Sequence, residues 1–247
     1  MADVHKHAML AWMLGYMTAK DKPLTYLESH AGRGLYDLSG DAARKTGEAA
    51  QGIARATGWF GDDHPYTLAL RAVRAAYGET AYPGSPLVAA HLLRDMDALI
   101  LSELHPQEFA ALREVMRPHR AICQNRDGWE MALSQTPPTP RRGLLLIDPS
   151  FEVKADYQTI PATIASIARK WPVGVIVLWY PVLTDNRHRA MVTALTHAHP
   201  DALSHEVRFP PARPGHGMVG SGLFVINPPY GLTEQAAWLG QQFAALT

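Results

Sequence analysis

The 247-residue chain has a single cysteine, Cys123. One thiol cannot close an internal disulfide, and such usage suits a reducing cytosol. No apolar run approaches the roughly 20 residues a membrane helix needs. The longest, Val173 to Val182, has prolines near its ends and reads as a buried strand. The N-terminal Asp3, His5, Lys6 and His7 do not match a signal peptide. These absences lead us to expect a cytoplasmic protein with no membrane partner. Net charge is absent too, with 23 basic against 23 acidic residues. A general basic footprint for nucleic acid is therefore missing. Local clusters remain at Arg141-Arg142, Arg187-His188-Arg189, and Arg208 with Arg213. Each reads either as a solvated loop or helix end, or as part of one basic face. There is no internal repeat and no low-complexity tract. No Cys/His cluster has ligand spacing, His5 and His7 included, so no metal is expected.

What is present alternates. A helical pattern from Val4 to Ala19 precedes a strand, Pro23 to Glu28, and a glycine turn, His30 to Gly34. The stretch 41–76 is rich in alanine, arginine and glutamate and reads as helical, with a break at 61–65. A further helix runs from Ser85 to about Arg94, with Ser85 as N-cap and Pro86 at its first position. Strands then follow at Ala98–Glu103, Arg120–Gln124, Gly143–Asp148 and Val173–Tyr180, with helices at Pro106–Met116, Tyr157–Lys170 and Asn186–Ala198. Two strands, His205–Phe209 and Leu223–Asn227, close the series without an intervening helix, before a last helix at Thr233–Ala245. Alternation predicts an α/β fold with a mostly parallel sheet, and the closing pair predicts an antiparallel edge strand. We expect one domain over 1–247, with a helical insertion at about 37–94.

Four strand ends carry chemistry. Glu28-Ser29-His30-Ala31-Gly32-Arg33-Gly34 lets the backbone turn sharply and approach a ligand closely. It lacks the third glycine of the dinucleotide fingerprint, which speaks against a nucleotide-dependent oxidoreductase. Glu103, at the next strand tip, is placed to accept hydrogen bonds from ribose hydroxyls, but equally reads as a capping or solvated glutamate. Asp127-Gly128 could hold an adenine amino group, or be an ordinary turn. Asp148-Pro149-Ser150-Phe151 resembles the Asp/Asn-Pro-Pro-aromatic motif of amino-methyltransferases, and also reads as a turn that ends a strand. An exocyclic amine is a poor nucleophile because its lone pair is delocalised into the ring. A carboxylate on Asp148 and the Pro149 carbonyl would accept its two N–H bonds and favour the pyramidal nitrogen. Phe151 would stack on the base once it leaves its helix or loop. Asn227-Pro228-Pro229-Tyr230 matches the same motif more closely. Only one helix can follow it, whereas a central catalytic strand needs further strands after it. We therefore assign catalysis to Asp148 and read the second motif as a strand end. The order of glycine loop, acidic strand tip, Asp-Gly and Asp-Pro-x-aromatic is that of an S-adenosylmethionine-dependent methyltransferase.

Stretches spanning nearly the whole chain resemble the bacterial RlmJ-type enzymes, which methylate an adenine N6 amine in large-subunit ribosomal RNA. They include Ala2-Asp3-Val4-His5-Lys6-His7, Tyr26-Leu27-Glu28-Ser29-His30-Ala31-Gly32, Tyr82-Pro83-Gly84-Ser85-Pro86-Leu87, Glu103-Leu104-His105-Pro106, Leu178-Trp179-Tyr180-Pro181-Val182 and Ser221-Gly222 through Pro229. The resemblance implies a Rossmann-like class I methyltransferase fold. It implies cofactor contacts from His7, His30, Gly32, Ser85, Glu103, Asp127, Gly128 and Asp148, with S-adenosylhomocysteine as product. It also implies a ribosomal RNA partner, a monomer, and a helical subdomain that helps grip RNA. Two departures stand out. Family members carry a further N-terminal stretch, with an aromatic residue near the substrate, before Ala2-Asp3. Starting at Met1, this sequence implies either an internal start or an incomplete substrate pocket. The second proline of the motif is Ser150. Two alternatives remain: a DNA adenine amino-methyltransferase, because the motif reads the amine and not the sugar, and a cofactor-binding module with impaired catalysis.

Overall fold

The computed structural model describes residues 1–39, 55–56, 58–152, 155–210, 215 and 217–246. Numbering elements over these residues, α1 (Ala2–Thr18) precedes β1 (Thr25–Glu28) and β2 (Leu35–Asp37). Then come α2 (Pro65–Tyr77), β3 (Ala81–Pro83), α3 (Ser85–Leu92), β4 (Ala98–Ser102), α4 (Pro106–Met116), β5 (Ala121–Gln124) and α5 (Gly128–Gln135). The chain continues through β6 (Gly143–Ile147), α6 (Asp156–Lys170), β7 (Val175–Leu183), α7 (His188–Ala198), β8 (Leu203–Arg208), β9 (Met218–Ile226) and α8 (Leu232–Ala244).

Seven strands form one sheet in the order β5-β4-β1-β6-β7-β9-β8. The β5, β4, β1, β6 and β7 pairings are parallel, and β9 runs antiparallel to both β7 and β8. This is a Rossmann-like, mostly parallel sheet with its antiparallel pairing at one edge. The central strands are buried on both faces, so they read as continuous apolar runs. In β6, Leu144 and Leu146 pack with Met9, Met13 and Leu223, while Leu145 and Ile147 pack with Ile160, Ile164 and Leu195. Period-two alternation thus divides one strand between two cores. Helix α1 is buried on nearly every side and packs against α2, α3, α8 and β9.

Three features depart from the sequence expectations. Between β1 and β4 the described residues hold two helices, plus an antiparallel pair, Leu35–Asp37 with Ala81–Pro83. Strands of three residues carry too little periodicity to be seen. Residues 41–54 of the expected helical stretch lie outside the described residues, as does Arg213. Helix α5 was unforeseen, although Asp127 followed three residues later by Glu130 is a helix-start signature. Finally, β7 runs through Pro181 to Leu183. Its parallel neighbour β6 pairs only as far as Leu178, so Pro181 has an open flank where a missing N–H is tolerated.

Candidate active site

The strand ends of β1, β4 and β6 open into a cleft of about 650 Å³. Asp3, Lys6, His7, His30, Gly32, Tyr36, Ser85, Glu103, Asp148 and Ser150 are among its walls. The glycine turn forms the floor beside β1. Gly32 and Gly34 have φ of 62° and 77°, which only glycine adopts without strain. Glu103 holds this turn in place. Its Oε2 accepts the Gly32 N–H at 2.8 Å and its Oε1 accepts the His105 N–H at 2.8 Å. The carboxylate thus caps the loop and still faces the cleft.

Ser85 lines the cleft but does not cap α3, as expected from sequence. Gly84 is the N-cap, and the Ser85 hydroxyl donates to Glu28 Oε1 at 2.5 Å. Tyr26 donates to Glu28 Oε2 at 2.8 Å. Burial pushes the Glu28 carboxyl up to about 8, even though both donors pull it down. His7 is buried against the cleft, with Nδ1 3.1 Å from the Tyr82 hydroxyl. Its Nε2 has no partner. Burial, helped by the Lys6 charge, lowers its pKa to about 3, so the ring is neutral at physiological pH. His30 Nδ1 is 2.7 Å from Ser29 Oγ and its ring meets Trp129 edge-on at 5.3 Å. Burial lowers the pKa of His30 as well.

Asp148 follows β6 directly. Its Oδ2 accepts a hydrogen bond from Lys6 Nζ at 2.5 Å, and Lys6 also pairs with Asp3 at 3.2 Å. Burial alone would lower the Lys6 pKa, but the charges of Asp148 and Asp3 outweigh it and hold it above the ordinary lysine value. The Lys6 ammonium also lies 5.6 Å from the centre of the Trp179 ring. Sequence reasoning missed Lys6 because its partner is 142 positions away. Tyr36 was missed too; it lines the cleft and is 43 % exposed.

Four expected site residues are not in the cleft wall. Phe151 is 6 % exposed, at φ 56°, with its ring against Tyr157 and Trp179. It is core, and its face is not offered to a base. Asp127 caps α5, with Oδ1 accepting the Trp129 and Glu130 N–H groups at 2.9 and 3.0 Å. Gly128 lets α5 start against the turn after β1, since a Cβ there would lie 2.0 Å from Ser29 O. Both stand one layer behind His30. Pro149 is buried beside Asp148. Among the described residues no group of His, Cys, Asp and Glu side chains could hold a metal ion.

Residues 21–245 match the family described as ribosomal RNA large subunit methyltransferase D, RlmJ. The chain belongs to this family. It is 39 % identical over 241 residues to ribosomal RNA large subunit methyltransferase J of Escherichia coli, covering 95 % of this chain and 85 % of that protein. A solved structure of a Legionella pneumophila protein superposes with a TM-score of 0.87 at 32 % identity, covering 99 % of this chain and 92 % of the other. A SAM-dependent methyltransferase from Agrobacterium tumefaciens shares the fold at 12 % identity, with a TM-score of 0.51 over 91 % of this chain and 62 % of that one.

Proposed function

We propose that this RlmJ-family chain transfers a methyl group from S-adenosylmethionine to the N6 amine of an adenine in large-subunit ribosomal RNA. The observation that carries this reading is the Lys6–Asp148 pair, set at the end of β6 in the same cleft as the glycine turn and Glu103. The cleft suits the cofactor. It offers a buried, unpartnered imidazole nitrogen on His7, a carboxylate on Glu103, and a turn free of side chains at Gly32. His7, His30, Gly32, Ser85 and Glu103 would hold it, with Asp127 and Gly128 supporting His30 from behind. When bound, S-adenosylmethionine supplies a methyl group on a positively charged sulfur and leaves as S-adenosylhomocysteine. In this reading the protein works in the cytoplasm as a monomer and needs no metal.

The chain's own residues prepare the amine. Lys6 occupies Asp148 Oδ2 and so fixes the rotation of the carboxylate. Oδ1 then accepts one amine N–H and the Pro149 carbonyl accepts the other. Both bonds strengthen as the nitrogen gains positive charge, so they favour the transition state over the bound substrate. With Phe151 in the core, Tyr36 is the residue we assign to stack on the target base. Base–aromatic stacking contributes about 1–3 kcal/mol. The test is single-turnover transfer from labelled S-adenosylmethionine to adenine-containing RNA and to DNA of the same sequence. Transfer to DNA alone, or to neither, would sink the proposal. Tyr36→Ala should raise the KM for RNA and leave cofactor affinity unchanged; the reverse pattern would move Tyr36 to the cofactor.

A further inference from the structure

Four buried or half-buried groups from four elements form one hydrogen-bonded row that the proposed chemistry does not use. The Trp179 indole N–H on β7 donates to Ser221 Oγ on β9 at 2.8 Å. Ser221 Oγ is 2.8 Å from His5 Nδ1 on α1, and His5 Nε2 is 2.9 Å from His205 Nδ1 on β8. His5 and Ser221 are fully buried. Helix α8 makes room for the row's end, since a Cβ on Gly240 would lie 3.2 Å from His205 Nε2. An indole can only donate. Ser221 therefore accepts from Trp179, and we assign its own hydrogen to His5 Nδ1, the other partner of its hydroxyl. His5 then carries its proton on Nε2 and donates to His205. The row has one direction and no charge. At its head, the Trp179 ring lies 5.6 Å from the Lys6 ammonium and meets Phe151 edge-on at 6.1 Å.

We propose that Trp179 is a positioning residue, and that the Ser221–His5–His205 row locks its indole so that Lys6 and Asp148 keep their mutual geometry. The role in transfer rests on the methyltransferase reading above. The row is also open to acid. With both imidazoles protonated, N–H would face N–H between His5 and His205, and the row would break. Few charges offset this: Glu206 on β8 acts on His205, while β9 and α8 present Ser221 and Phe243 to His5. Burial and their mutual charge keep His5 neutral, and burial does the same for His205.

The experiment compares the full chain with Trp179→Phe, Ser221→Ala and Ser221→Thr. Loss of one locking hydrogen bond should slow single-turnover transfer about tenfold in Trp179→Phe and Ser221→Ala, with cofactor affinity within about twofold. The double variant should be no slower than either, and Ser221→Thr should recover the rate. The six tryptophans give six indole signals in nitrogen-15 NMR. The signal missing in Trp179→Phe should move in Ser221→Ala and, in the wild type, as pH falls below the imidazole range. Wild-type rates in both Trp179→Phe and Ser221→Ala would overturn the proposal, as would an indole signal indifferent to Ser221. If Trp179→Phe fails to fold, Ser221→Ala and His205→Asn decide it by the same readouts. A wild-type protein that transfers no methyl group would overturn the reaction assignment, whereas an unmoved indole signal would overturn the row.

Discussion

Two tetrapeptides of one pattern, Asp148-Pro149-Ser150-Phe151 and Asn227-Pro228-Pro229-Tyr230, end up at opposite ends of the strands of one sheet. The first follows β6, whose last residue, Ile147, is in register with Leu178 on β7. The second follows β9, whose last residue, Ile226, is in register with Ile176 near the start of β7. Because β9 is antiparallel, its carboxyl end points away from the cleft. There Asn227 Nδ2 donates to Pro172 O at 2.9 Å and Gly174 O at 2.8 Å, tying β9 to the loop before β7. Tyr230 is 85 % exposed, while Phe151 is core. The letters of the motif are thus less informative than the direction of the strand that precedes them.

The sharpest way to break this comparison is Asp148→Ala against Asn227→Ala. Removing the acceptor at the reacting nitrogen should slow single-turnover transfer by about 100-fold or more, with cofactor affinity nearly unchanged. Asp148→Asn should lose less, because the amide oxygen still accepts. Lys6→Met comes next. It strands Asp148 and Asp3 without their cation and should cost about 3 kcal/mol of stability, read by denaturant unfolding, along with a slower transfer. A stable Lys6→Met with full activity would mean that the pair is incidental.

Glu28→Gln separates the cleft end from the far end by pH. The folded carboxyl titrates at about 8 rather than 4.5. Between these values the folded state binds more protons than the unfolded one, so stability falls as pH rises, by about 1.4 kcal/mol per unit at most. Glu28→Gln should flatten that decline in melts from pH 5 to 8. His7 tilts the opposite way: its pKa is lowered, so its contribution is present above about 6.5 and lost as pH falls toward 3. The smallest effect belongs to Asn227→Ala. Two carbonyls lose a donor and an alanine must adopt φ 54°, so about 1–2 kcal/mol of stability should go while transfer stays at the wild-type rate. Asn227→Gly should recover the backbone part only.

The sheet was legible because the strands buried on both faces form apolar runs, and because glycine, proline and acidic residues mark their ends. The count of strands still to come was enough to expect Asp148, and not Asn227, at the strand ends that form the cleft. Other features are invisible in a linear reading. Ser85 was read as a cap because capping is a local habit, but its hydroxyl is claimed by Glu28, 57 positions away. Phe151 has the motif's residue type, yet its backbone turns at φ 56° and places the ring in the core. Lys6 reaches Asp148 only because α1 lies over the sheet with its N-terminus at the cleft.

That placement of α1 makes the site a late product of chain growth. His5 bonds to residues 200 and 216 positions downstream, and Lys6 to one 142 positions downstream. Contacts so distant in sequence form only after the loops between them have closed. A nascent chain that has emerged just past β6 already contains the glycine turn, Glu103, Asp148 and Lys6, but lacks β9 and α8, which complete the packing around α1. Its first helix has only the α2 and α3 side of its seat, and His5 lacks the β8 and β9 partners that fix the helix's N-terminal turn, so its lysine has no fixed bearing on the carboxylate. Competence should therefore arrive abruptly with the last thirty or so residues, so that a chain stopped short of them is inert rather than partly active.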